Sequence, residues 1–123
     1  MGRPRKFDET EVVSLARELF ASKGYHGTSL DELVDSTGLL RGSIYKAFGS
    51  KRNLFEAALL SLGDDFDQSP ESLDLLTVAL KELASEDAKV AKICEEIINR
   101  SDNKNVSEIL GRNLLAKMKG QNQ

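Results

Sequence analysis

Hydrophobic residues recur every three or four positions along most of this 123-residue chain, which is the spacing of one face of an α-helix. Polar and glycine-containing breaks divide this pattern into seven segments of helical length. We find no internal repeat and no alternation of apolar and polar residues typical of a β-strand. The sequence therefore predicts an all-α protein.

The segment from Thr28 to Phe48 predicts two short helices joined by a tight turn. Ser29 and Glu32 have the spacing of a reciprocal capping box at the start of the first helix. Gly38 stands where that helix should end, because glycine adopts the left-handed conformation without steric cost. The outer face of the second helix carries hydrogen-bond donors, namely Arg41, Ser43, Tyr45 and Lys46. This combination predicts a DNA-reading helix-turn-helix.

Basic residues precede the first predicted helix, which begins with Asp8 as a cap, forms a capping box with Glu11 and runs to about Lys23. A frayed terminus is the ordinary interpretation of such a segment. Beside a helix-turn-helix, however, a basic arm that enters the minor groove is the better interpretation. The arm would contact DNA through Arg3, Arg5 and Lys6.

A fourth helix is predicted after Ser50, which is suited to cap it. The free backbone amides at its start, together with Lys51, would form an anion site for a DNA phosphate. An ordinary solvated helix cap is the alternative interpretation.

The acidic, turn-rich residues 63–70 mark the predicted domain boundary. We expect a DNA-binding domain at residues 1–62, with the fourth helix as connector, and a small helical domain for dimerisation or regulation at residues 63–123. The first helix of this second domain should bury Leu73, Leu76, Leu80 and Leu83.

Three short helices bury little apolar surface alone, so the last two are expected to pair with their copies across a twofold axis. The residues expected in that homodimer interface are Val90, Ile93, Ile97, Ile109, Leu110 and Leu114.

The composition, with 40% hydrophobic and 30% charged residues, is that of a globular protein. One cysteine and one histidine leave no disulfide framework, no His/Cys metal site and no catalytic cluster, so we expect neither an enzyme nor a cofactor. No apolar run or signal sequence predicts contact with a membrane, which favours a cytoplasmic location. Apolar neighbours predict that Cys94 is an inert buried thiol, with oxidant sensing or crosslinking as the alternative.

The net charge of −3 conceals an uneven distribution of charges. Residues 1–54 hold nine Lys/Arg and seven Asp/Glu, whereas residues 55–123 hold eight and thirteen. Because salt screens charges beyond about 8 Å, an acidic rear half does not prevent a basic front from binding DNA.

The front of the chain resembles the tetracycline-repressor (TetR) family of bacterial transcription regulators over roughly residues 8–56. The resemblance implies a homodimer that binds a palindromic DNA operator in the bacterial cytoplasm, associated with the nucleoid when bound. It also implies repression of transcription, with release controlled by an effector or partner. The matching residues are Ala16, Leu19, Phe20, Gly24, Tyr25, Thr28, Leu33, Gly38, Ser43, Ile44, Tyr45, Phe48, Ser50, Lys51 and Leu54.

Carried over by position, the resemblance also implies DNA-binding roles for several residues. Gly42 would let the backbone approach DNA closely. The recognition helix would face the bases with Arg41, Ser43, Tyr45 and Lys46, and the phosphates would be bound by Thr28, Ser29, Tyr45 and Lys51. A core position is the alternative for Tyr45.

Two positions depart from the family pattern, and so does the rear half. Leu40 stands where a polar cap is usual, so the recognition helix should lack a side-chain cap. Gly49 replaces a frequent proline, which should loosen the start of the fourth helix. The rear half is unusually short for the family, so a pocket for a drug-sized effector is not expected. A helical protein-interaction module with a vestigial or localising DNA-binding head is the alternative function.

Overall fold

A computed structural model describes residues 8–63, 69–100 and 106–121, and every regular element in these ranges is helical. This confirms the all-α prediction. Helix α5 continues into a π-helical turn, Ala79–Leu83. The helices are α1 (Glu9–Lys23), α2 (Leu30–Thr37), α3 (Arg41–Phe48), α4 (Lys51–Leu60), α5 (Pro70–Val78), α6 (Ala88–Arg100) and α7 (Val106–Gln121).

Serine side chains cap three of these helices, and the caps at Ser29 and Ser50 are those that the sequence predicts. Ser29, Ser50 and Ser69 each accept a hydrogen bond from the backbone amide three residues later. At α1 the cap differs from the prediction, because the Asp8 carboxylate accepts from the Thr10 amide at 2.9 Å. The carboxylate thus reaches the second helical amide, and the expected capping box with Glu11 does not form.

Three aromatic rings form the centre of the hydrophobic core. Phe20 of α1 meets Phe55 of α4 edge to face, with ring centroids 5.1 Å apart, and lies 5.9 Å from the ring of Tyr25. Phe20 and Phe55 are fully buried. Helix α1 packs against α2, α4 and α5, so one continuous core joins the helix-turn-helix to the helices that follow. The division at residues 62 and 63 stays a prediction.

The buried face of α5 and the π-helical turn differs by one residue from the predicted leucine stripe. Leu75 and Ala79 are fully buried, whereas Leu80 is 38% exposed at the edge of the face. The Ala84 amide donates to the Ala79 carbonyl, five residues back, at 2.9 Å. The inner face therefore continues from Ala79 to Leu83, and the predicted burial of Leu80 is wrong.

Helix α6 packs into the core of its own chain. Val90 is fully buried and Ile97 is 2% exposed within this core. These two side chains have no surface left for a second copy, so their predicted place in a dimer interface is wrong. Periodicity showed that this face is buried, but it did not show that the covering surface is intramolecular. Ile93 and Leu110 are only partly buried against the same core.

Helix α7 lies on α5. Val106 is buried, and the Asn113 amide donates to the Asp74 carboxylate at 2.6 Å. Lys117 pairs with the same carboxylate at 3.1 Å. Helix α7 exposes three large apolar residues, namely Leu114, Leu115 and Met118.

None of the helices in the described ranges is long and apolar enough to cross a membrane.

Candidate nucleic-acid interface

The turn between α2 and α3 is held by backbone and hydroxyl contacts. Gly38 has a φ of 74° and donates its amide to the Val34 carbonyl at 2.9 Å, ending α2 as the sequence predicts. The Thr37 hydroxyl donates to the Leu33 carbonyl and accepts from the Leu39 amide, at 2.7 and 3.2 Å. These bonds fix the direction in which α3 leaves α2.

The start of α2 is fastened both to its own backbone and to α1. Ser29 and Glu32 form the predicted capping box, with bonds of 3.1 and 2.9 Å. Lys23 of α1 pairs with the Glu32 carboxylate at 2.6 Å. The ion pair with Lys23, followed by the bond from the Ser29 amide, lowers the pKa of Glu32 to about 2.

The outer face of α3 presents its donors to solvent. Arg41 and Lys46 are exposed, and Ser43 is half-buried. Tyr45 is 46% exposed, so it is not a core tyrosine. Nothing lies within 4 Å of a Cβ built on Gly42, which leaves space beside this backbone.

Both departures from the family pattern have structural counterparts at the ends of α3. Leu40 makes no side-chain cap, as predicted, and is 76% exposed. Gly49 ends α3 with a φ of 94° and donates to the Tyr45 carbonyl at 2.7 Å. A φ of this sign is closed to proline and strained for other L-residues, so Gly49 is needed where it stands.

Arg41 pairs with a residue that sequence reasoning missed. Its Nη2 donates to Oδ1 of Asp31, in the first turn of α2. The two residues are ten positions apart and lie on different helices, so no helical spacing signals the contact. Only the approach of α3 to α2 across the turn creates it.

Lys51 lies at the start of α4 over an aromatic ring. Its Nζ is 4.2 Å from the centroid of the Tyr25 ring, which is the range of a cation–π contact. Desolvation lowers the pKa of Lys51. Tyr25, which is 8% exposed, therefore orients this candidate phosphate ligand. In the sequence Tyr25 is visible only as a position that matches the family pattern, and no local spacing predicts its contact with Lys51.

The same part of α4 is tied to α6. The Arg52 guanidinium pairs with Asp87, whose carboxylate also caps α6 by accepting from the Lys89 and Val90 amides at 3.0 and 3.2 Å. The Val90 amide and then Arg52 lower the pKa of Asp87. The start of α4 is thereby connected to the rear helices.

Thr28 and the basic arm differ from the other predicted site residues. The Thr28 side chain is fully buried, and its hydroxyl donates to the Gly24 carbonyl at 2.7 Å. The hydroxyl is therefore directed into the loop after α1, and in this conformation it does not reach a phosphate. The predicted arm residues Arg3, Arg5 and Lys6 lie outside the described residues.

The space between α1, α5 and α7 is an open groove of about 540 Å³. Its lining includes Glu18, Glu71 and Asp74 together with Lys117. Glu71 pairs with Arg17 at 2.8 Å and Asp74 with Lys117, so two of the three carboxylates already have cationic partners.

The described ranges hold no group of three His, Cys, Asp or Glu side chains placed to bind a metal ion. Cys94 is 1% exposed, and burial raises the pKa of its thiol to about 11.

The fold and the surface of α3 define a helix-turn-helix protein. A family profile described as "Bacterial regulatory proteins, tetR family" matches residues 12–58. Together with the relatives below, this match shows that residues 12–58 have the sequence pattern of the tetR family.

Two curated relatives are named as HTH-type transcriptional regulators. The chain is 44% identical over 61 residues to the uncharacterised HTH-type transcriptional regulator YezE of Bacillus subtilis, a match that covers 50% of the chain and 31% of the relative. It is 43% identical over 58 residues to the HTH-type transcriptional repressor BdcR of Escherichia coli, covering 47% and 29%. The matches thus span about a third of each relative's length.

A solved structure supports the fold over nearly the whole chain. It is a cysteine mutant of the TetR family transcriptional regulator CifR complexed with 26-bp double-strand operator DNA. The TM-score is 0.64 at 24% identity, and the match covers 96% of this chain and 91% of that one. At 24% identity this similarity supports the fold alone.

Proposed function

We propose that this chain is a sequence-specific DNA-binding transcriptional repressor that binds a palindromic operator as a homodimer. The exposed donor face of α3, held by the Gly38 turn, is the observation that carries the proposal. Recognition helices of this kind enter the major groove, and their side chains contact base edges. The relatives named as transcriptional regulators support the assignment.

Within this proposal the contacts divide into base reading and phosphate binding. Arg41 can donate two parallel hydrogen bonds to O6 and N7 of guanine, a contact worth about 1–3 kcal/mol of discrimination. Ser29, Tyr45 and Lys51 would bind phosphates, and such contacts position the protein without reading sequence. Ser43 and Lys46 complete the donor face, and Gly42 gives the DNA backbone room. The arm of Arg3, Arg5 and Lys6 would enter the adjacent minor groove.

The dimer interface is assigned to the exposed apolar residues of α7 rather than to α6. Leu114, Leu115 and Met118 are 43%, 54% and 51% exposed on this helix. Ile109 and Leu110 are half-buried on the same helix, and Ile93 is half-buried on α6. A twofold pair would place two recognition helices about one DNA turn, or roughly 34–36 Å, apart.

The domain division follows from the same assignment. Residues 1–62 would bind DNA and residues 63–123 would pair the two copies, in the bacterial cytoplasm and on the nucleoid. The groove beside α1 and α7 is open, and two of the three carboxylates in its lining are already paired with cations, which gives no support for a drug-sized effector.

The function is tested with the full chain and a duplex library that has a randomised core. Selection at low salt should enrich a palindromic sequence, and the selected duplex should be shifted by submicromolar protein. Absence of a specific complex at micromolar protein would overturn the proposal.

Light scattering tests the assembly separately. The wild-type chain should be a dimer, and Leu114→Glu should shift it toward monomer. Leu60→Glu is the matched control, since Leu60 is a 55% exposed leucine on α4. A monomeric wild type that binds DNA poorly would favour the protein-interaction alternative.

A further inference from the structure

The ion pair between Asp31 and Arg41 contributes little to the stability of the fold. The two side chains are 80% and 53% exposed, and an ion pair this exposed contributes at most about 1 kcal/mol. Helix α3 is already anchored by Ile44, which is fully buried. A carboxylate beside a DNA-reading arginine also weakens the attraction between that arginine and the DNA phosphates. The pair therefore needs a different explanation.

We propose that Asp31 is a positioning residue for base reading, which holds the Arg41 guanidinium so that it reads guanine and contributes little to non-specific binding. This inference rests on the proposed function. It adds Asp31, which is not one of the donors on α3, to the residues that determine base reading.

The first step concerns the geometry of the guanidinium. Arginine has five N–H donors in one plane, and Asp31 accepts a hydrogen bond from Nη2. Four donors remain, which is enough for the two parallel bonds to O6 and N7 of guanine. Fixing a long side chain before binding saves an ordering cost of about 0.5–1.5 kcal/mol, which corresponds to about two- to tenfold in affinity.

The second step concerns charge. Phosphate attraction supplies nearly all non-specific DNA binding, and it depends on net positive charge at the surface. Asp31 offsets the charge of Arg41, so a DNA site without the matching guanine gains little from this arginine. Specificity is the difference between the binding free energies for a site with the matching guanine and a site without it. Weakening the complex with the non-matching site therefore increases specificity.

Asp35 provides a matched control on the same helix. It is exposed, lies one turn after Asp31, and makes no ion pair among the described residues. Replacing either aspartate by asparagine removes one negative charge near the DNA. Only Asp31→Asn also releases Arg41.

The experiment compares wild type, Asp31→Asn and Asp35→Asn on two duplexes, the sequence selected by the wild-type chain and a scrambled version of it. Both variants should bind the scrambled duplex more tightly than wild type. Asp31→Asn should lower the ratio of the two affinities by about two- to tenfold, whereas Asp35→Asn should leave it unchanged. In an Arg41→Ala background, Asp31→Asn should no longer change the ratio. Thermal midpoints of all variants check that the fold is retained.

Equal affinity ratios for Asp31→Asn and Asp35→Asn would overturn this inference while leaving the proposed function intact. So would an effect of Asp31→Asn on the ratio that persists without Arg41. A wild-type chain with no preference between the duplexes would overturn the proposed function, and this inference with it.

Discussion

A substitution of Thr28 distinguishes a structural role from a DNA-binding role more sharply than a substitution of any other predicted contact residue. Its hydroxyl is buried and donates to the Gly24 carbonyl at 2.7 Å, and it lies 3.5 Å from the Leu19 carbonyl. Thr28→Val keeps the branched shape of the side chain but removes this donor. We expect the variant to lose stability without losing contacts to DNA.

The expected loss follows from the hydrogen bond. Removing it forfeits a net contribution of about 0.5–1.5 kcal/mol, and a buried acceptor left without its donor raises the total to about 1–3 kcal/mol. For a chain of this size the entropy of unfolding converts 1 kcal/mol into about 4 °C. The thermal midpoint should therefore fall by roughly 4–12 °C.

Thr77→Val is the control. The Thr77 hydroxyl donates to the Leu73 carbonyl at 2.8 Å, one turn back in a half-buried part of the rear helices. That carbonyl is also within reach of the helical backbone amide four residues later, so the control should lose less than about 0.5 kcal/mol.

Circular dichroism gives the midpoints, and DNA titration at several salt concentrations gives the electrostatic contribution at a temperature where both variants are folded. The salt slope should equal that of wild type. An unchanged midpoint with a slope reduced by about one unit would refute the reasoning, because that is the signature of a lost phosphate contact.

Two further predictions concern titratable groups. Because the pKa of Glu32 is lowered from its ordinary value of 4.5 to about 2, its stabilising effect is complete above pH 4.5 and is lost as the pH falls toward 2. Acid unfolding of Glu32→Gln should therefore depend less steeply on pH in this window than that of the exposed control Glu18→Gln; equal pH profiles would contradict the assignment. The Cys94 thiol, with its pKa raised to about 11 by burial, should react with a thiol reagent at mildly alkaline pH only after denaturant is added. Rapid stoichiometric reaction of the folded chain would instead favour an accessible redox role.

Much of the helical architecture could be predicted because its signals are local. The caps at Ser29, Ser50 and Ser69 and the stop at Gly38 depend on residues at most four positions away. Leu33 and Ile44, which are fully buried, likewise stand in the apolar spacing of three or four residues that is visible in the sequence. Local sequence therefore contains most of the information that forms the helix-turn-helix.

What could not be predicted depends on how helices approach each other. A hydrophobic stripe shows that Val90 and Ile97 are covered, but it does not distinguish their own chain from a second copy. The same limit applies to Thr28, whose burial follows from the path of the loop after α1. The contacts of Arg41 with Asp31 and of Lys51 with Tyr25 join different elements and have no characteristic spacing.

The most direct test of the account compares Arg41→Ala with Lys51→Ala on the selected duplex and its scrambled version over a range of salt concentrations. Arg41→Ala should cost about 1–3 kcal/mol on the selected duplex and relax the preference for its guanine. Lys51→Ala should weaken binding to both duplexes alike and reduce the salt slope by about one unit. Identical behaviour of the two variants would contradict the assignment of Arg41 to bases and Lys51 to phosphates.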